Sequence, residues 1–204
     1  IYTVRKSWLL IFMDKDDFLL KRIRELANLS YQRDIVTFTD FLNLNEQNML
    51  ATLKLRQMGV SVKLFGGYNH AERQMAAFYP GTVGFSWEYP IDCLKIIPKA
   101  LRFSEELGHR DYLGAILNLG VDRSVVGDIL IKDKEAWVFC LHKMSDFFID
   151  NLVRVRHTTV LVTRVEQAEE IPEPQFEAIS GTCASVRLDS LIGLAFQTSR
   201  SSMV

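Results

Sequence analysis

The chain has 204 residues, 48% of them hydrophobic and 24% charged. That is the composition of a folded globular chain with enough apolar surface to build a core, and it excludes disorder as the main state. Lys plus Arg total 24 against 25 Asp plus Glu, so the net charge of −1 excludes coating of nucleic acid by bulk charge and leaves only a local basic patch.

The longest uncharged apolar run, Trp8 to Met13, is six residues. A membrane-crossing helix needs about 20. A secretory core also needs a longer run and a cleavage site. The reading is therefore no membrane span and no export. Met13 followed by Asp14, Asp16 and Asp17 reads as a natural start, with residues 1–12 an upstream extension.

Residues 14–29 read as an amphipathic helix, with Leu19, Ile23, Leu26 and Ala27 on one face and acidic residues in the first turn. Residues 35–38 are extended and 40–43 a turn. Residues 45–58 read as a helix with Asn45 as N-cap and Gly59 as its stop. Residues 61–68 are a strand ending at Gly66-Gly67. Residues 71–79 read as a short helix stopped by Pro80.

From residue 91 the pattern becomes strand 93–98, helix 111–119, strands 128–131 and 136–141, helix 145–153 capped by Ser145, and strand 158–165. This β-α-β-β-α-β order predicts a ferredoxin-like (RRM-like) domain. Residues 166–177 hold five Glu, two Pro and no base, a linker composition. A further helix is expected over residues 186–196.

Catalytic motifs find little support. His109-Arg110-Asp111 imitates a kinase catalytic loop, but the next Asn is Asn118, not five residues on, and no glycine-rich phosphate loop accompanies it. The alternative is helix capping by Asp111, with Arg110 free to reach a carboxylate or phosphate. Gly66 to Gln74 reads as a turn before a helix, and phosphate binding by Arg73 is the lesser reading. The four histidines lack metal-ligand spacing, and Ser, His and Asp show no nucleophile elbow. No cofactor, metal site or enzymatic activity is expected. Cys93, Cys140 and Cys183 are odd in number and widely spaced, so each reads as a small apolar residue in a reducing cytoplasm. Trp137 and Phe139 alternate on the third strand of the RRM-like unit, where RNA-binding relatives stack bases, but the Lys/Arg-Gly-aromatic pattern is absent and core packing is preferred. Residues 152–164 carry Arg154, Arg156, His157 and Arg164 with no acid, a stretch suited to phosphate contacts.

The tail pairs Arg187-Leu-Asp189 with Ser199-Arg200-Ser201 across an apolar helix. This resembles the opening of the S-four RNA-binding domain, in which the matching arginines and Ser-Arg amides meet structured RNA. The segments TFTDFLN (37–43), GGYNHAERQMAAFYP (66–80), LGHRDYLGAILNLGVDRSVVGDIL (107–130) and VRVRHTTV (153–160), in that order with the tail, resemble the bacterial YlmH family over residues 13–204. The resemblance implies an α+β protein with a helical and mixed N-terminal domain (13–88), a central ferredoxin-like (RRM-like) domain (89–165), a linker (166–179) and a truncated S-four-type domain (180–204), which stops before the family's second helix and last strand. It implies a cytoplasmic, non-enzymatic RNA-binding protein that acts on the large ribosomal subunit, on ribosomal RNA or tRNA, in rescue of stalled complexes. The RNA-binding residues would be Arg187, Ser199, Arg200 and Ser201, assisted by Arg154, Arg156 and Arg164. The alternative function is a protein-interaction module linked to cell division, with a protein partner bound through the RRM-like domain and His109, Arg110 and Asp111 as its contact motif.

Overall fold

The computed structural model describes residues 2–81, 87–166, 171–172, 180–182 and 188–195. Residues 1–172 form one compact unit and residues 173–204 a second. The fold is α+β, with antiparallel sheets.

Helix α1 runs unbroken from Tyr2 to Arg33. It corrects the expected start at residue 14, because Asp14, Asp16 and Asp17 lie within the helix and its first turn holds no acid. The predicted apolar face is observed. Ile23, Leu26 and Ala27 are buried, and Leu19 packs against them. Ser30, also buried on that face, donates to the carbonyls of Ile35 at 2.8 Å and Phe78 at 3.0 Å, which ties the helix to the sheet beneath it.

Strands β1 (Thr37–Leu42), β2 (Val60–Phe65) and β3 (Gln74–Pro80) make the first sheet, in the order β1-β3-β2. Residues 40–42, expected as part of a turn, continue β1 through an irregularity between Phe38 and Phe41. Thr39 supplies the missing partner there, its Oγ1 accepting the Ala76 amide at 2.9 Å. Helix α2 (Leu44–Thr52) is capped by Asn43, not Asn45. The Asn43 side chain accepts from the Glu46 amide, and the Glu46 carboxylate accepts from the Asn43 amide, a reciprocal capping box. A 3-10 turn, Leu55–Met58, follows and stops at Gly59, which is left-handed at φ 74°.

The helix expected over residues 71–79 is strand β3. Met75, Ala76, Ala77 and Phe78 are all buried, because β3 is the central strand and is covered on both faces. A short, continuously apolar run of this kind has no period by which to tell helix from strand. Pro80 stands at the end of the strand, where its missing N–H is tolerated.

The second sheet holds β4 (Ile91–Pro98), β5 (Val126–Lys132), β6 (Glu135–Leu141), β7 (Arg154–Val155) and β8 (Thr158–Arg164), in the order β5-β6-β4-β8-β7. Helices α3 (His109–Leu117) and α4 (Ser145–Asn151) cover one face. Tyr112, Ile116, Phe148 and Leu152 pack there on Leu94, Ile96, Val138, Cys140, Val160 and Val162. Ser145 does not cap α4. It is the first helical residue, and its hydroxyl turns to Asp92. In the second unit, α5 spans Leu188–Ala195 within the expected range.

The other face of the second sheet meets the first sheet. Cys93, Trp137, Phe139 and Leu141 pack on Phe41 and Met75. Two glycines, Gly67 and Gly127, permit the approach, and Gly66 permits the tight β2–β3 connection beside it. At Gly67 (φ 99°) a Cβ would lie 2.3 Å from the Phe139 ring, at Gly127 it would lie 2.7 Å from the Phe41 ring, and at Gly66 it would lie 2.4 Å from both Ala71 and the Arg73 carbonyl.

Candidate RNA interface

The aromatics of β6 are core. Phe139 is 1% exposed, with Tyr68 stacked on it at 4.8 Å. Trp137 is 5% exposed, with the Lys95 ammonium 5.1 Å from its ring centre. Neither ring is available to stack on a base, so the core-packing reading holds.

The residues 66–74 are a structural joint. The Asp128 carboxylate accepts from the Tyr68 hydroxyl at 2.9 Å and from the amides of Glu72 at 2.6 Å and Arg73 at 3.1 Å. The half-buried Arg73 guanidinium donates to the carbonyls of Phe41 at 3.0 Å and Val126 at 3.1 Å. It is spent on carbonyls of both sheets, not offered to phosphate. Arg123 acts beside it, donating to the carbonyls of Val126 and Gly127, and burial followed by repulsion from Arg73 lowers its pKa to about 10. Sequence reading missed this pairing role; the adjacent glycines were its only local signal.

Arg164 is held by two carboxylates, Asp92 at 2.8 Å and Asp146 at 3.1 Å. Asp92 also accepts from Ser145 at 2.5 Å and contacts His142 at 3.0 Å. Ser145 thus donates to the carboxylate directly, and among the described residues no histidine is hydrogen-bonded to it. The buried Cys140 thiol lies 3.7 Å from Ser145, and burial pushes its pKa up to about 12. Such a thiol is inert as a nucleophile.

Burial alone would raise the Asp92 carboxyl, but the hydrogen bonds from Ser145 and His142 and the Arg164 charge outweigh it and hold the group below its ordinary value. A carboxyl depressed in the folded state contributes stability that is full above its unfolded value, about pH 4, and is lost as pH falls through the folded value. Asp92→Asn is expected to flatten the decline in stability below about pH 4. Urea unfolding across acid pH checks this, and a variant curve parallel to wild type would remove Asp92 as the source.

Four of the remaining predicted residues converge. Arg110, Asp111, Arg154 and Arg156 line one groove of about 550 Å³ between α3, the end of α4 and the β7–β8 hairpin. Each is placed by a local feature. The Asp111 carboxylate accepts the Gly108 amide at 2.9 Å and so fixes the start of α3, with His109 and Arg110 exposed on its first turn. The β7–β8 hairpin turns at Arg156 and His157, with Val155 paired to Thr158. Arg156 is 57% exposed and pairs with Asp111 at 3.5 Å. The Arg110 and Arg154 side chains are exposed and make no hydrogen bond or ion pair with the described residues. Neither Arg110 nor Arg156 is buried in a brace. Arg164 lies six residues beyond the hairpin on β8, about 20 Å away by strand rise. Arg187, Ser199, Arg200, Ser201 and Cys183 lie outside the described residues.

With this geometry in place, residues 87–169 match a family described as "Putative RNA-binding domain in YlmH". The chain is 25% identical over 167 residues to the ribosome-associated protein quality control protein P2 of Bacillus subtilis (strain 168), covering 79% of this chain. The chain spans 63% of the length of that relative. A solved structure titled cell division protein ylmH from Streptococcus pneumoniae superposes with a TM-score of 0.58 at 24% identity, over 79% of this chain and 93% of that one, and this likeness concerns the fold. The segment 87–169 thus carries the match to the YlmH RNA-binding family, and the chain as a whole is similar to a YlmH-type relative.

Proposed function

We propose that this protein is a cytoplasmic, ribosome-associated RNA-binding protein that works by binding, not by catalysis, on the large ribosomal subunit and its RNA or tRNA, in the rescue of stalled complexes. The observation that carries the reading is the placement of three exposed arginines against one carboxylate along a single groove of the segment that matches the RNA-binding family. The strand order β5-β6-β4-β8 with two helices on one face supports an RRM-like reading of residues 89–165. The name of the Bacillus subtilis relative supports the ribosomal setting. Arg187, Ser199, Arg200 and Ser201 would add an S-four-type contact in the tail.

The test is co-sedimentation with purified large ribosomal subunits from about 50 to 200 mM salt, the range over which phosphate-mediated binding weakens steeply. This chain is compared with one extended to the length of the relative. Binding that falls with salt is expected for both, tighter for the longer chain. Absence of binding by either at the lowest salt sinks the reading.

A further inference from the structure

We propose that the groove between α3, the end of α4 and the β7–β8 hairpin is a binding site for the phosphodiester backbone of RNA. Arg110, Arg154 and Arg156 hold the phosphates, and Asp111 occupies the Arg156 guanidinium until RNA displaces it. The inference rests on the RNA-binding reading above and names the surface that performs it.

Three independent observations converge on the groove. The first is charge. Its lining carries three guanidinium groups and one carboxylate in a chain whose net charge is −1, so the positive potential is local. Guanidinium forks match phosphate oxygens two at a time. The exposed amide of Asn118 lies on the same wall and can serve a ribose hydroxyl or a base edge, while Asn151 donates its side-chain amide to the Phe147 carbonyl at 2.8 Å and offers its oxygen.

The second is Gly114. It sits within α3 on the groove wall, where glycine weakens a helix relative to alanine. Among the described residues, nothing lies within 4 Å of the position its Cβ would occupy. No packing among the described residues requires the glycine there. It leaves α3 bare where a backbone from outside can approach closely.

The third is the hairpin. Arg156 adopts φ 50°, the left-handed region in which glycine or asparagine is favoured. Strain at a bulky exposed residue is retained where the side chain has a task. Here the turn aims a guanidinium into the groove. The sheet face that RRM-type proteins offer to bases has its Trp137 and Phe139 buried, which leaves RNA a route along the helices.

The test uses the full 204-residue chain and three probes: a short labelled RNA duplex, unacylated tRNA and purified large ribosomal subunits. Simultaneous Arg110→Gln, Arg154→Gln and Arg156→Gln is expected to lower affinity at least tenfold near 0.1 M salt. It should also reduce the slope of log affinity against log salt by roughly 2–3, as three lost phosphate contacts imply. Gly114→Ala is expected to melt higher than wild type yet bind several-fold more weakly, a split that misfolding cannot produce. Arg164→Gln is expected to leave the slope unchanged. Preference for subunits or for tRNA identifies which RNA supplies the backbone. If wild type binds but the triple variant, folded by circular dichroism, keeps its affinity and slope, the groove is the wrong surface while the RNA reading stands. The same follows if Gly114→Ala binds as wild type. If wild type binds none of the three probes, the functional reading itself has failed.

Discussion

Phe139→Ala should destabilise the unit spanning residues 1–172 by about 3–5 kcal/mol, the cost of removing a fully buried aromatic from a packed site. The ring is 1% exposed, is stacked on Tyr68, and is approached by Gly67 and Gly127, whose missing side chains make room for it. Its neighbours cannot collapse into the space, because Phe41 and Met75 already hold the two sheets at a fixed separation. Urea unfolding monitored by far- and near-ultraviolet circular dichroism measures the loss. The functional consequence is equally definite. At a temperature where the variant remains folded, its RNA affinity and salt slope should equal those of wild type. A variant with native stability and reduced RNA binding would mean that Phe139 opens to stack on bases, and would overturn the assignment of this face to the core.

Arg73→Met should cost about 2–3 kcal/mol, the range for breaking hydrogen bonds made by a charged group. The guanidinium joins β1 to β5 through the Phe41 and Val126 carbonyls, and methionine fills the space without replacing the donors. Burial is the main influence on this group and lowers its pKa, with Glu46, Asp128, Glu72 and Asp122 opposing the change. Arginine still carries its charge throughout the physiological range, so the bonds do not titrate there and the loss should be the same at pH 6 and pH 8. Salt-dependent RNA binding should be unaffected, in contrast to the groove arginines. A lower salt slope in Arg73→Met would return this residue to the phosphate-binding set.

The central domain was legible from its sequence because its elements obey simple periods. The helices of residues 109–117 and 145–151 and the strands around them lie within a few residues of their expected bounds. The errors fall where local signals compete. Asn43 and Asn45 are both acceptable caps, and only Glu46 three residues after Asn43 distinguishes them. The polar pair Thr39-Asp40 suggests a turn, yet Thr39 turns inward to serve the Ala76 amide. The buried run Met75 to Phe78 carries no period, since a central strand covered on both sides has no polar face.

The ingredients of the candidate site are legible in the amino-acid order: an acid-free stretch with Arg154, Arg156 and Arg164, an Arg110-Asp111 pair opening a helix, and an Arg187…Ser199-Arg200-Ser201 tail that resembles an S-four domain. Their grouping comes from the folded chain. It brings Arg110 beside Arg154, 44 residues later in the chain, and gives Arg164 to Asp92 and Asp146 instead. It also closes the Trp137 and Phe139 face with a second sheet. The physical reason is common to all three. Alternation along a strand fixes which face a side chain takes, but what covers that face, and which distant charge meets it, depends on the pairing of strands far apart in sequence.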